Sequence, residues 1–461
     1  MASWSHPQFE KGAETAENAI SSRILDQHMA VRRVLPNYRS SRWTIADALK
    51  VRTDDPTTTM PVIDYSFPVM SNDVMIWDSG ALRDMHMRTV TYKGWFVLWS
   101  LAVDKIDKTN AKIYDEWHSR NDRAYIGYWY SADGVEWTWG GRLFQTSADL
   151  RPWEWSGSLV MREGTENKVD MFYTSVGAPD GNSVPAVCSG TIHADDKGVW
   201  FEGFSASTEM FKADGVHYAN ASEDAYFDFR DPQPFINPGD GELYTLFEGN
   251  VPGMRGQFVV GSDEMGHVPP GYAVDPGAQY GAAAIGLSRC VSNWRKGDYS
   301  RWELMPALVT ALGVNDQTER PHFVFKDGLT YLFTISHHST YTGKSTGPDG
   351  VYGFVSEKGI FGPYKPLNSS GLVLGNPSSQ PYSTYSHFVD AQGYVQSFID
   401  TIPAAGQNAE SPDTYRIGGT LAPTVRLVLD GDRTFLTEVH DYAQVFAQAA
   451  WPASLAYDVR A

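Results

Sequence analysis

Lys93-Gly94-Trp95-Phe96-Val97-Leu98-Trp99 is a turn followed by an apolar and aromatic run, and the same arrangement returns four more times along the chain. The later copies are Lys168-Val169-Asp170-Met171-Phe172-Tyr173, Gly241-Glu242-Leu243-Tyr244-Thr245-Leu246-Phe247, Gly328-Leu329-Thr330-Tyr331-Leu332-Phe333 and Gly393-Tyr394-Val395-Gln396-Ser397-Phe398. They lie roughly 65 to 90 residues apart, a spacing that suits one small sheet per repeat. Ile126-Gly127-Tyr128-Trp129-Tyr130-Ser131-Ala132-Asp133-Gly134-Val135-Glu136-Trp137 and Val351-Tyr352-Gly353-Phe354-Val355-Ser356-Glu357-Lys358-Gly359 add a second strand and a turn, the pattern of an antiparallel hairpin. Radial repetition of such sheets leaves few exposed edges, and the reading is an all-β fold: a single-domain five-bladed β-propeller with a short helical segment near its start. The competing pattern is a pair of β-sandwich domains. No linker rich in Pro, Gly or Ser divides the chain, which favours one domain.

Outward from the repeats, Thr44-Ile45-Ala46-Asp47-Ala48-Leu49-Lys50 reads as one capped helix. Trp4-Ser5-His6-Pro7-Gln8-Phe9-Glu10-Lys11 reads as an affinity tag, so residues 1–13 are assigned to tag and linker, 14–42 to an N-terminal extension and 43–461 to the propeller. No basic stretch followed by an apolar one succeeds the tag, which leaves the compartment open.

The chain has 461 residues, of which 42% are hydrophobic and 13% aromatic, the composition of a folded globular protein. Thirty-seven basic residues against fifty-five acidic ones leave a net charge of −18, a field that repels nucleic acid and anionic lipid surfaces. No apolar run approaches the roughly 18 residues that a membrane helix needs. The two cysteines, Cys188 and Cys290, supply neither a disulfide framework nor a four-ligand zinc site; a single bridge between them is allowed but not implied.

Propellers bind ligands where inner strands meet the central axis, which directs attention to acids within or beside first-strand segments. Asp78 closes the apolar string Val74-Met75-Ile76-Trp77-Asp78, next to a tryptophan suited to walling a sugar pocket. Asp231 follows Arg230 in Phe229-Arg230-Asp231-Pro232, where the guanidinium is expected to hold the acid ionised. Glu319 in Thr318-Glu319-Arg320-Pro321-His322-Phe323 precedes another apolar strand. A lone acid of this kind is often a turn or cap, but three in different repeats point to shared chemistry, because a buried carboxylate is costly unless paired or employed. One acid as nucleophile, one as proton donor and a third steadying positive charge is the requirement of glycosyl transfer through an oxocarbenium-like transition state.

The motifs also carry a family resemblance. From about Trp43 to about Tyr442 the chain resembles the levansucrases and related fructosyltransferases of glycoside hydrolase family 68, of the Gram-negative type. The strings that carry it are Asp54-Asp55-Pro56-Thr57-Thr58-Thr59, Ile76-Trp77-Asp78, Glu154-Trp155-Ser156-Gly157, Phe229-Arg230-Asp231-Pro232, Phe247-Glu248-Gly249-Asn250, Gly313-Val314-Asn315-Asp316-Gln317-Thr318-Glu319-Arg320-Pro321-His322, Thr346-Gly347-Pro348-Asp349-Gly350-Val351-Tyr352-Gly353-Phe354 and Gly418-Gly419-Thr420-Leu421-Ala422-Pro423-Thr424. Each is weak alone; eight in order are specific.

The resemblance implies a secreted enzyme acting on sucrose, with fructan, sugars or water as fructosyl acceptors and with no cofactor. It implies Asp78 as the nucleophile that forms a fructosyl-enzyme, Glu319 as general acid and then base, and Asp231 as stabiliser of the transition state. Trp77, Ser156 and Arg230 would contact the fructosyl ring; Gln317, His337 and Tyr385 fall on the glucosyl or acceptor side, and Arg320 is placed with the substrate-binding residues. Retention by double displacement calls for a nucleophile and acid about 5 Å apart, and Glu319 must be protonated at working pH. His337 and His338 adjoin each other, yet no third ligand sits at a suitable spacing, so His337 is read as a donor to a sugar hydroxyl rather than a metal ligand. The acids between positions 104 and 122 read as a solvated loop. Where the family continues from its nucleophile with Thr, one variable residue and Pro-Leu, this chain has Ser79-Gly80-Ala81-Leu82, which is expected to loosen the pocket rim. The alternatives kept open are a β-fructofuranosidase that mainly hydrolyses sucrose and a propeller that binds fructan without cutting it.

Overall fold

The structure, a computed structural model, describes residues 38–105, 120–144, 153–177, 183–223, 227–404 and 415–451. The tag, most of the N-terminal extension, the chain beyond 451 and most of the acidic stretch between 104 and 122 lie outside those residues.

Five antiparallel sheets follow one another in chain order. Blade I is built on Val74–Ala81, Phe96–Asp104, Tyr125–Ser131 and Thr138–Arg142, and blade II on Trp153–Met161, Lys168–Val176, Ser183–Ala194 and Val199–Glu202. Blade III holds Phe229–Ile236, Leu243–Asn250, Ala283–Cys290 and Trp302–Thr310; blade IV starts with Glu319–Lys326, Leu329–Ser336 and Gly350–Ser356; blade V contains Thr384–Val389, Tyr394–Pro403, Tyr415–Leu421, Val425–Asp430 and Arg433–Val439. The first strands of neighbouring blades touch in turn, and that of blade V touches that of blade I, so the five close a ring around an axis.

All five repeat strings turn out to be the second strands of the blades. A second strand is covered on both faces by the adjacent blades, as in Leu243–Asn250, where all eight residues are buried. That requirement produces a continuous apolar run rather than alternation. The turns ahead of them twist with the strands: Lys93 and Gly94, and Asp327 and Gly328, all have positive φ (50°, 90°, 52° and 77°), the backbone of a tight hairpin in which glycine carries no Cβ penalty.

Three short parallel pairings stitch the ring. Arg83–Asp84, just after the first strand of blade I, pairs with Val160 and Met161 of blade II. Ser41–Arg42 adds to the outer strand of blade III, and Ala449–Trp451 pairs with Val90–Tyr92 between the first two strands of blade I. The expected helix is present as Ile45–Ala48, capped by Thr44 with Asp47 returning the capping interaction. Cys188 and Cys290 are both buried and free, in different blades. No helix among the described residues is long and apolar enough to cross a membrane.

Candidate active site

Each of the five innermost strands loses register at one point: between Ile76 and Ser79, Trp155 and Gly157, Arg230 and Gln233, Glu319 and His322, and Tyr385 and Phe388. The residues inside these bulges are Trp77 and Asp78, Ser156, Asp231 and Pro232, Arg320 and Pro321, and Ser386 and His387. A bulge re-aims side chains and ends local pairing, which also explains how Pro232 and Pro321 sit inside inner strands. In blades III, IV and V the bulge residue is left-handed, with φ of 61° at Asp231, 45° at Arg320 and 60° at Ser386. For Asp this is tolerable; for Arg and Ser it is strained backbone held by its surroundings.

The bulges bring the three acids within reach of one another's charge. Arg230 Nη2 donates to Glu319 Oε1 at 3.0 Å, and the Tyr385 hydroxyl donates to Glu319 Oε2, so both oxygens of that carboxylate are held. Asp231 Oδ2 accepts the main-chain N–H of Arg320 at 3.0 Å, and its own N–H donates to Thr174 Oγ1 at 2.8 Å. Thr174 Oγ1 in turn donates to the Ser156 carbonyl at 3.0 Å, which links the bulges of blades II and III. The Ser156 hydroxyl is buried with no hydrogen-bond partner among the described residues, a free polar group of the kind a bound hydroxyl would satisfy. Asp78 and Trp77 sit mid-strand rather than at the strand's end, and the Arg120 guanidinium lies 5.4 Å above the Trp77 ring.

Electrostatics corrects one expectation. Burial pushes the Asp231 carboxyl up to about 7, opposed by Arg230 and reinforced by the charges of Glu319 and Asp78. Arg230, next in sequence, lowers the Asp231 carboxyl, but burial outweighs it; the same guanidinium also meets Asp228, Glu248 Oε2 at 2.7 Å and Glu319. Arg230 itself is held well above its ordinary value, since those carboxylates outweigh the cost of its burial. Burial likewise raises Asp228 to about 6 and Glu248 well above its usual range, with Arg230 opposing both shifts.

On the far side of Glu319, His337 stacks on Tyr385 with ring centroids 3.6 Å apart, and its Nδ1 lies 3.0 Å from Asp349 Oδ2. Gln317 is placed by its main chain: its N–H donates to Asn315 Oδ1 at 2.9 Å and its carbonyl accepts from Ser336 Oγ at 2.8 Å. The Arg320 guanidinium donates instead to the Ser79 carbonyl at 2.7 Å and to Ser386, and only 2% of the residue is exposed. Nor is the stretch after Asp78 loose: Ala81 and Leu82 are buried, and Trp99 packs so closely that a Cβ on Gly80 would come within 2.7 Å of its indole nitrogen.

Sequence reasoning passed over Glu248, Asp228, Thr174 and Asp349. Glu248 had the same signal as Asp78, an acid inside an otherwise apolar strand, and is fully buried. Thr174 acts through a contact between blades II and III, while Asp228 and Asp349 meet Arg230 and His337 within their own blades, through side-chain geometry that no local string displays.

A propeller whose blades I, III and IV bring carboxylates within reach of one another fits a class of glycoside-processing enzymes. The levansucrase/invertase family, glycoside hydrolase family 68, matches residues 35–446, and the chain belongs to that family. It is 55% identical to a levansucrase of Zymomonas mobilis over 411 residues, 89% of this chain and 93% of that protein. It is 50% identical to an extracellular sucrase of the same organism over 422 residues, 90% of this chain and 97% of that protein. Among solved structures, the levansucrase from Gluconacetobacter diazotrophicus superposes with a TM-score of 0.78 at 32% identity, covering 90% of this chain and 94% of that one.

Proposed function

We propose that the chain cleaves sucrose and transfers its fructosyl group by double displacement. Asp78 attacks the anomeric carbon of the fructosyl unit as the bond to the glucosyl oxygen breaks, and Glu319 delivers its proton to that departing oxygen. Glucose leaves and a fructosyl-enzyme ester remains. In the second half Glu319 takes the proton from an acceptor hydroxyl of fructan, another sugar or water, that oxygen attacks the same carbon, and Asp78 is released. Asp231 stabilises the oxocarbenium-like transition state between these events. Trp77, Ser156 and Arg230 hold the fructosyl ring, with Gln317, His337 and Tyr385 toward the glucosyl or acceptor side.

The observation that carries this reading is the clamp on Glu319, whose two oxygens are fixed by Arg230 and Tyr385, with Asp231 bonded to the next residue's amide and the charge of Asp78 felt at Asp231. The relative named an extracellular sucrase supports secretion as the destination of this chain. Asp78→Asn is the direct test. It should abolish glucose release while sucrose binding and the folded state stay near normal, and release at the wild-type rate would overturn the assignment. Chromatography of the products formed from concentrated sucrose measures the split between fructan, short oligosaccharides and free fructose; free fructose without fructan would mark a hydrolase.

A further inference from the structure

We infer that Arg320 is a positioning residue that holds the three acids in register across the ring, and that its guanidinium does not bind the sugar. The inference rests on the fructosyl-transfer reading of the site. Arg320 is bonded beside every member of the trio. It follows Glu319 directly in the chain, and its main-chain N–H donates to Asp231 Oδ2 at 3.0 Å. Its Nη2 donates to the carbonyl of Ser79 at 2.7 Å, the residue after Asp78. Its Nη1 donates to the carbonyl of Ser386 at 3.2 Å and also meets the Ser386 hydroxyl. Ser386 follows Tyr385, the residue whose hydroxyl donates to Glu319. Blades I, III, IV and V therefore meet through one side chain and its own amide.

The conformation fits this role. The left-handed backbone at Arg320 (φ 45°) is what allows the N–H to reach Asp231 while the side chain goes to the inner strands of blades I and V. The guanidinium lies 5.4 Å from the Trp99 ring and 5.8 Å from that of Phe388, between two apolar walls. Burial works against its charge, and Asp78, Asp231 and Glu319 favour it. A planar fork serves two acceptors on different blades at once; the ammonium of lysine is a single point and does not. Arg320 also lines a small cavity with Arg83, Gln233 and Gln396, so that truncating its side chain would enlarge a space already present beside it.

Steady-state kinetics on the full chain test this. Arg320→Gln is expected to lower kcat for glucose release about 100-fold, the cost of a misplaced reacting group, while KM for sucrose stays within about threefold. Arg320→Lys should recover only part of that loss, and millimolar methylguanidinium should raise kcat of Arg320→Ala about tenfold or more. A large rise in KM with kcat retained would mean a sugar contact and overturn the inference; so would wild-type kinetics. If thermal melts show that these variants do not fold, Ser386→Ala decides. Losing one acceptor should lower kcat about fivefold at constant KM, and unchanged kinetics there would overturn the inference. Asp78→Asn run in parallel separates the two readings. Turnover by that variant defeats the fructosyl-transfer reading, whereas its inactivity alongside wild-type kinetics in the Arg320 and Ser386 variants defeats only the positioning role of Arg320.

Discussion

Replacing Asp349 by asparagine should remove the positive charge from His337 at mildly alkaline pH. Burial disfavours the charged ring, yet the hydrogen bond and charge of Asp349, with Glu319 and Asp400 adding, raise His337 from 6.5 to about 9. At about 1.4 kcal/mol per pH unit that rise corresponds to about 3 kcal/mol. A third of the His337 side chain, 34%, is open to solvent, and screening brings the contribution down to about 1.5 kcal/mol. Because the folded value lies above the unfolded one, this stability is fully present below pH 6.5 and is lost as pH rises through about 9. Asparagine keeps an acceptor for the His338 N–H, which donates to Asp349 Oδ1 at 2.6 Å, so the charge is removed with that contact retained. Urea melts of both proteins at several pH values should show a gap of about 1.5 kcal/mol near pH 6 that closes above about pH 9.5. NMR titration of the variant should find His337 well below its wild-type value, since burial is then opposed only by Glu319 and Asp400. A gap that stays constant with pH, or a variant His337 that still titrates near 9, would refute the reasoning.

Asp231 makes the opposite prediction in sign of charge. Its carboxyl is raised to about 7 by burial, so wild type should lose stability as pH rises from about 4 through 7, and Asp231→Asn should lack that part of the decline in urea melts. Gly157→Ala probes the bulge of blade II, where a Cβ would stand 1.9 Å from the Phe172 carbonyl oxygen. That contact is with backbone and cannot swing away, so a loss of about 3 kcal/mol or more is expected on denaturation, and wild-type stability would contradict the register of that strand.

The fold was legible because burial on both faces leaves a compositional mark: the second strands, such as Leu329–Ser336, repeat as apolar runs after a turn. The innermost strands leave no such mark. Their bulges place Asp78, Ser156, Asp231, Arg320 and Ser386 at matching points, but no residue type is common to all five strings, and the Ser386 position went unread. Candidate acids were visible as carboxylates in apolar strings. Their environments were not, since the Asp231 setting depends on what Arg230 touches across the ring, and Arg320 looks in sequence like one more polar residue beside an acid.

The pairing of Ala449–Trp451 with Val90–Tyr92 has a consequence for biosynthesis. The same closing segment donates from the Gln448 N–H to the Thr89 carbonyl at 2.8 Å and from the Trp451 indole to the Glu166 carbonyl at 3.1 Å. A nascent polypeptide emerging at roughly 5–20 residues per second has its early strands available for many seconds before their partner leaves the ribosome. Until then the seam stays unsealed, and a ribosome-stalled chain ending before residue 449 should expose it to proteases.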